Sequence, residues 1–385
     1  MFLVYFHFFN FIVFDAINII NIFVKIQIMQ LVKVGVCAFG MSGKVFHAPF
    51  LKEHPGFLMS AIVERTKQES KSQYPGTTIF SSVEEMLQHA DIDLVVVNTP
   101  VQTHFEYVKL ALEAGKNVIM EKPFTVDLSE AEALVKLAQE KKLFLSVYQN
   151  RRFDRDYLQV QKILKAEKLG TLKEVEIRFD RFRTQPSGKE HKENPALKGS
   201  GSLHDLGSHL IDQATQLFGF PEKIFADVFS MKGLDFANDY FELLLYYKNN
   251  LRVRIKSSVF SKEAHYAYIL HGDRGSFLQE RTDDQEKELV SGVIPTYNED
   301  WMKPLKKPDG IFNYLTQNSE TEIMTTSSEP GNYMDYYQEI YEHIVFGYAL
   351  PSPAFEIIQN MKIIEAALES SSTGKVVTLK ETDSL

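Results

Sequence analysis

A chain of 385 residues is too long for one ordinary domain and suits two. Its 44% hydrophobic, 24% charged and 12% aromatic residues exclude a disordered, collagenous or disulfide-scaffold protein. The 42 Lys and Arg against 51 Asp and Glu give a net charge of −9, without the basic excess of a bulk nucleic-acid binder, and a lone cysteine, Cys37, makes a reducing compartment such as the cytoplasm the default.

Residues 1–28 depart from this average, with 7 Phe, 7 Ile and 3 Asn but only two charges, Asp15 and Lys25. A signal peptide wants a basic start and a small-residue cleavage site, and neither is present. A membrane anchor wants about 18 uninterrupted apolar residues, and Asp15 divides this run. The preferred reading is a misplaced translation start, with the native chain opening at Met29; an anchor or a signal remains the alternative. No membrane partner is expected.

From Met29 the chain divides at about residue 150. Gln30–Phe39 reads as a buried strand running into a glycine turn, followed by a short helix that Pro49 interrupts. Strands are expected at Leu58–Val63, Leu94–Asn98, Val118–Met120 and Leu143–Val147. Between them lie helices opened by the pairs Ser82/Glu85, Thr103/Glu106 and Asp127/Glu130, read as capping boxes. Gly115 suits the left-handed position after its helix. Short strands alternating with helices imply an α/β fold with a parallel, doubly wound sheet over 29–150, which binds ligands at the carboxyl ends of its strands.

Residues 151–385 change character. Glu174–Arg183 alternates strictly, Phe241–Tyr247 and Leu251–Val259 flank an Asn249-Asn250 turn, and His265–His271 with Ser276–Glu280 flank a Gly272–Gly275 turn. These one-sided strands predict an α+β domain with a large, mainly antiparallel sheet. Residues 281–334 read as polar loops, and helices are expected at about 335–346 and 354–370.

Three motifs carry chemistry. Ala38-Phe39-Gly40-Met41-Ser42-Gly43 is a dinucleotide fingerprint with alanine in its first slot; Gly40 lets a pyrophosphate approach the backbone and Gly43 lets helix and strand pack closely. Glu64, 21 residues past Gly43, ends the second strand where a carboxylate can bind an adenosine ribose. Glu64 favours NAD, whereas Arg65, Thr66 and Lys67 suit the extra phosphate of NADP. Glu121-Lys122-Pro123 follows a strand, placing a lysine at the ligand end of the sheet. Asp205, His209 and Asp212 share one helical stripe opposite Leu206, Leu210, Ala214 and Leu217. His204, Asp205 and His209 lack the further ligands of a metal site, so no metal is expected.

These motifs, with NTP at 98–100, His104, EKPF at 121–124, SVYQNRRFD at 146–154 and LHDLGSHLIDQ at 203–213, resemble the Gfo/Idh/MocA oxidoreductases from Met29 to about Val377. FHAPF and YQNRR look most like the scyllo-inositol dehydrogenase-like branch. The resemblance implies an N-terminal Rossmann domain and a C-terminal domain with a large open sheet through which subunits associate as a homo-oligomer. It implies oxidation of a secondary alcohol on an inositol, sugar or related polyol, or reduction of the ketone, with NAD or NADP. Lys122 matches the family lysine of the proton relay, His209 the general acid/base and Asp205 the carboxylate that positions them. Thr99, Pro100, His104 and Glu121 match positions near the nicotinamide, while Tyr148, Asn150 and Arg152 are candidate substrate contacts. Loops at 183–202 and 281–334 are expected to set specificity. Other readings are a redox-assisted glycoside hydrolase of the same fold, or a non-enzymatic dinucleotide-binding regulator.

Overall fold

The computed structural model describes residues 30–299 and 301–381; the leader 1–28 lies outside the described residues. Six short parallel strands form the first sheet: β1 (Val32–Val36), β2 (Phe57–Val63), β3 (Thr78–Phe80), β4 (Leu94–Val97), β5 (Asn117–Met120) and β6 (Leu145–Val147), in the order β3-β2-β1-β4-β5-β6. Runs of valine suit strands covered on both faces, and all four residues of β4, one leucine and three valines, are buried. β1 pairs with β2 on one side and β4 on the other. The chain therefore reverses its direction of winding here, which opens a crevice at the carboxyl ends of these two strands.

The second sheet contains β7 (Leu172–Arg178), β8 (Lys223–Phe229), β9 (Tyr240–Tyr246), β10 (Arg252–Ser258), β11 (Tyr268–Gly272), β12 (Gly275–Gln279), β13 (Gly310–Leu315), β14 (Thr321–Thr326) and β15 (Val377–Thr378). Its order is β14-β13-β12-β11-β7-β10-β9-β8-β15, antiparallel throughout except where β10 runs parallel to β7. Alternation puts Phe241, Leu243, Leu245, Val253 and Ile255 into one core beneath the helices Ser208–Phe218 and Ala354–Thr373. Asn250 turns the β9–β10 hairpin at φ 62°, the left-handed conformation that asparagine tolerates.

The last two helices tie the halves together. Tyr336, Tyr337 and Ile340 of Met334–Phe346 share a core with Val32, Phe50 and Phe57. In the final helix, Ile357, Ile358 and Met361 pack with Leu134 and Val135, while Ile363 and Ala367 join the core of the second sheet.

Four local expectations change. Pro49 does not stop the helix: a π-helical turn, Gly43–His47, runs directly into Ala48–Glu53, so the proline falls in the first turn of the α-helical part, where its missing N–H is tolerated. Residues 281–334 are not all loop; they contain the helix Gln285–Val290 and the β13–β14 hairpin. β13 alternates strictly, burying Phe312 and Tyr314 with Ile311 and Leu315 exposed, whereas β14 at the sheet edge has no buried residue and so no burial pattern. The capping boxes are incomplete. Ser82 accepts from the Glu85 amide, but Glu85 answers Ser81, Thr103 bonds Thr99 and Pro100, and Asp127 pairs with Lys198. β3, β8, β15 and the helices Glu69–Gln73, Arg155–Lys165 and Glu190–Glu193 add to the expected elements; those of two to five residues are too short to carry a readable periodicity.

Candidate functional site

The glycine turn follows β1 and is held at its first residue by a side chain from the neighbouring strand. Asn98, just past β4, accepts from the Ala38 amide at 2.9 Å and donates to the Ala38 carbonyl at 2.8 Å. A Cβ on Gly43 would stand 2.2 Å from the Ala38 carbonyl oxygen, so only glycine permits this crossing. A Cβ on Gly40 would meet nothing within 4 Å. Its backbone therefore borders open space that a pyrophosphate can approach, and the turn fits a dinucleotide.

Glu121 connects this turn to the end of β5. Its carboxylate accepts from the Ser42 hydroxyl, from His47 Nε2 at 3.0 Å and from the Lys122 amide at 3.1 Å. Burial opposes its charge, yet His47, Ser42 and Lys122 outweigh burial and depress its pKa to about 2. His47 is itself braced by the Tyr337 hydroxyl at 2.8 Å.

Across the cleft, the π-helical turn Leu203–Gly207 leads into the helix Ser208–Phe218. Lys122 Nζ donates at 2.8 Å to both the Asp205 carbonyl and Asp205 Oδ1, and the Lys122–Pro123 bond is cis. Lys192 donates to that same Oδ1, also at 2.8 Å. Burial pushes the Lys122 ammonium below its usual range, with Asp205 opposing the shift. Burial also disfavours the Asp205 charge, but the two lysines hold its carboxyl well below the ordinary range.

His209 is buried, with Nδ1 3.0 Å from Gln149 Oε1. An amide oxygen only accepts, so Nδ1 carries the proton and Nε2 keeps a lone pair. Burial, followed by the charges of Lys122 and Arg151, drives its pKa well below 6.5, so the ring is neutral near pH 7. A neutral imidazole beside an ammonium can accept a hydroxyl proton while the cation stabilises the oxygen left behind.

Residues 32–149 match the family model described as the oxidoreductase family, NAD-binding Rossmann fold, and residues 161–379 match its C-terminal alpha/beta domain. The chain belongs to the Gfo/Idh/MocA oxidoreductase family. It is 34% identical over 350 residues to scyllo-inositol 2-dehydrogenase (NADP(+)) IolW of Bacillus subtilis, covering 91% of this chain and 96% of that one. It is 35% identical to an oxidoreductase of Schizosaccharomyces pombe, covering 91% of this chain and 100% of the other. Among solved structures, an oxidoreductase from Bacteroides fragilis superposes with a TM-score of 0.81 at 41% identity, covering 91% of this chain and 100% of that chain.

Within this family frame, the expected site residues divide into two groups. Ala38, Gly40, Met41, Ser42 and Gly43 form the turn after β1, and Ser42, Glu121, Lys122 and Asp205 are joined in one chain of hydrogen bonds whose lysine charge reaches His209. Phe39 is buried against Tyr74 and shapes the turn from behind. Glu64 closes locally: its oxygens accept from the amides of Glu69 and Ser70 at 3.1 and 3.0 Å and from the Ser70 hydroxyl, while Arg65 stays exposed. Thr99 and Pro100 follow β4 near the cleft. His104 is buried behind them, with ring nitrogens against the carbonyls of Thr99, Pro123 and Phe124, and so braces two loops rather than reaching a ligand.

Two of the three candidate substrate contacts lie elsewhere. Tyr148 is buried and its hydroxyl donates to the Phe46 carbonyl at 3.2 Å. Arg152 grips Asp212 through two bonds of 2.8 and 2.7 Å, with Asn360 on the same carboxylate. Asp212, the third member of the expected stripe, is thus spent on the core. Asn150 is buried at the start of the single turn Asn150–Phe153, directly after the Gln149 that holds His209.

Four contributing residues escape sequence reasoning: Asn98, Gln149, Lys192 and Arg151. Asn98 and Gln149 stand at strand ends inside the NTP and SVYQNRRFD motifs, and a carboxamide in that position is the signal that could have found them. Lys192 lies in the four-residue helix Glu190–Glu193, too short for periodicity to distinguish it from the loop expected there. Among the described residues, no group of three or more His, Cys, Asp or Glu can hold a metal, and no helix is long and apolar enough to cross a membrane.

Proposed function

We propose that this chain transfers hydride between NADP or NAD and a CH–OH carbon of an inositol, sugar or related polyol. The observation that carries this reading is the convergence of Lys122 Nζ and the neutral His209 on one cleft beside the Gly40 turn, with Asp205 bound to the lysine at 2.8 Å. The Gly40–Ser42 backbone would hold the pyrophosphate, the 64–67 loop the adenosine ribose, and Thr99, Pro100 and Glu121 the nicotinamide end. When bound, the cofactor supplies the hydride acceptor. In the oxidation direction, His209 Nε2 takes the hydroxyl proton as the carbonyl forms. Lys122 donates to the oxygen as its negative charge grows, and Asp205 fixes the ammonium for that contact. Gln149 keeps the opposite ring nitrogen protonated. The same groups run the reduction in reverse.

NADP is the favoured cofactor. Glu64 spends its carboxylate on the Glu69–Gln73 helix, leaving exposed Arg65 to meet a 2′-phosphate, with Lys67, paired to Glu69 at 3.3 Å, nearby in the chain. The relative IolW is named as an NADP(+) enzyme.

The test is a polyol panel run in parallel with NAD and NADP, following nicotinamide absorbance, on wild type, Lys122→Ala and His209→Asn. Each variant is expected to lose about 10²–10⁴ in kcat, the usual contribution of a proton-transfer group. Wild-type turnover in either variant overturns the assignment of that residue, and tighter binding of NADH than NADPH overturns the cofactor preference.

A further inference from the structure

The cleft holds more positive charge than its chemistry uses. Lys122 and Lys192 share a single carboxylate oxygen, Asp205 Oδ1; the Glu121 charge also acts on Lys122, whereas Lys192 has no second ion pair among the described residues. A small cavity of ≈ 80 Å³ opens directly beside Asp205 and Lys192, with Arg181 and Arg183 on its wall. Arg181 stands just past β7, its backbone anchored to Ser258 and its guanidinium 5.2 Å from the centre of the Phe179 ring. It forms no ion pair or side-chain hydrogen bond among the described residues; Glu286 and Asp205 act on it only at a distance.

The acids around this cavity keep their charges but have their own hydrogen-bond partners. Glu193 accepts from the amides of Ser187 and Gly188, and Asp239 accepts from the amides of Met231 and Lys232 with the Lys232 ammonium at 3.9 Å. Arg151, which also bears on His209, is ion-paired with both Asp154 and Glu286, and the Glu286 charge also reaches Arg181 and Lys122 at a distance. The cavity wall thus carries four cations, Arg181, Arg183, Lys192 and Lys232, against the three carboxylates of Asp205, Glu193 and Asp239; among the described residues Arg181 has no ion pair and Lys192 only a shared one. A neutral polyol closing over them would strip their water and return no charge, a costly arrangement. An anionic group answers both. The cavity is far below the about 300–1,000 Å³ of a complete ligand pocket, so it suits one substituent of a molecule whose ring lies over Asp205.

The geometry points to an anionic substrate: a polyol or sugar bearing a carboxylate or phosphate that Arg181 and Lys192 bind in the cavity beside Asp205. This rests on the reading of Lys122, Asp205 and His209 as the reacting group and adds the substrate class. Arg181 supplies the planar two-donor face that such oxygens match, and Lys192 supplies a point charge.

The experiment compares matched pairs that differ by the anion: myo-inositol with myo-inositol 1-phosphate, and D-glucose with D-glucuronate. Initial rates are measured with NADP and NAD, and binding to the protein–NADPH complex is measured by calorimetry. The expected result is an anionic-to-neutral preference of about 10–100-fold for at least one pair, the size of a charge-assisted contact. In Arg181→Met the preference should collapse, and in Arg181→Lys it should be partly kept. The phosphate and carboxylate arms show which anion is taken. Equal or better use of the neutral partners, binding of neither anion, or a preference unchanged in Arg181→Met overturns the inference. Turnover of neutral polyols without preference removes this substrate class and leaves the dehydrogenase reading intact. Binding of an anion without turnover retains the anion site and counts against the dehydrogenase reading.

Discussion

Two glycines of the turn after β1 should respond to the same methyl in opposite ways. In Gly43→Ala the new Cβ stands 2.2 Å from the Ala38 carbonyl oxygen and 3.0 Å from Asn98 Nδ2. That is more than 1 Å short of the about 3.5 Å at which heavy atoms settle in contact. The obstructing atom is backbone, and Asn98 clamps it with hydrogen bonds of 2.9 and 2.8 Å, so little can yield. Overpacking of this kind costs about 1–3 kcal/mol, and an immovable neighbour places this site near the upper end. Alanine returns at most about 1 kcal/mol of helix propensity. A net loss of about 2 kcal/mol lowers Tm by roughly 4 °C or more, by the scaling for domains of moderate size. In Gly40→Ala the methyl meets nothing within 4 Å, and Tm should stay within about 2 °C of wild type. The methyl instead occupies the approach to the turn, so NADPH affinity should fall about 10-fold or more, as a pyrophosphate pushed off backbone donors loses charge-assisted bonds. Thermal unfolding without cofactor and NADPH fluorescence titration separate the two effects. Wild-type NADPH affinity in Gly40→Ala, or wild-type Tm in Gly43→Ala, would refute the reasoning.

Two further outcomes follow from buried charges. Arg152→Met should destabilise by about 3–5 kcal/mol, because Asp212 is left charged and buried with only Asn360 at 3.0 Å. The double variant Arg152→Met/Asp212→Leu should recover most of that loss in denaturant titrations; a kinetic defect with unchanged stability would instead place Arg152 on the substrate. Glu121 is depressed from an ordinary 4.5 to about 2, so its contribution is full above pH 4.5 and is lost as pH falls from 4.5 towards 2. At about 1.36 kcal/mol per unit this amounts to roughly 3 kcal/mol. Tm measured from pH 5 to pH 3 should decline more gently in Glu121→Gln than in wild type, and parallel slopes would contradict this account.

The sequence by itself determined the alternation of strand and helix to residue 150, five of the nine one-sided strands beyond it (β7 and β9–β12), and the fingerprint turn. Each is written in local periodicity or in a glycine whose need is local, and Gly43 shows the reason at atomic distance. Strand ends and helical spacing marked Lys122, Asp205 and His209 only as polar groups at the ligand end of a doubly wound sheet; it is the family resemblance that gives them their proposed roles. What the sequence could not decide was which of two neighbouring polar residues faces the cleft. Arg152 and Tyr148 turn into the core while Gln149 between them holds His209, since that choice depends on Asp212, Asn360 and Phe46, which are distant in sequence. The charge balance of the cleft was likewise settled only in three dimensions. Lys192 and Arg181 come from a four-residue helix and a strand extension with no periodic signature; folding brings Lys192 to the Asp205 carboxylate 13 residues away and both residues to one small cavity.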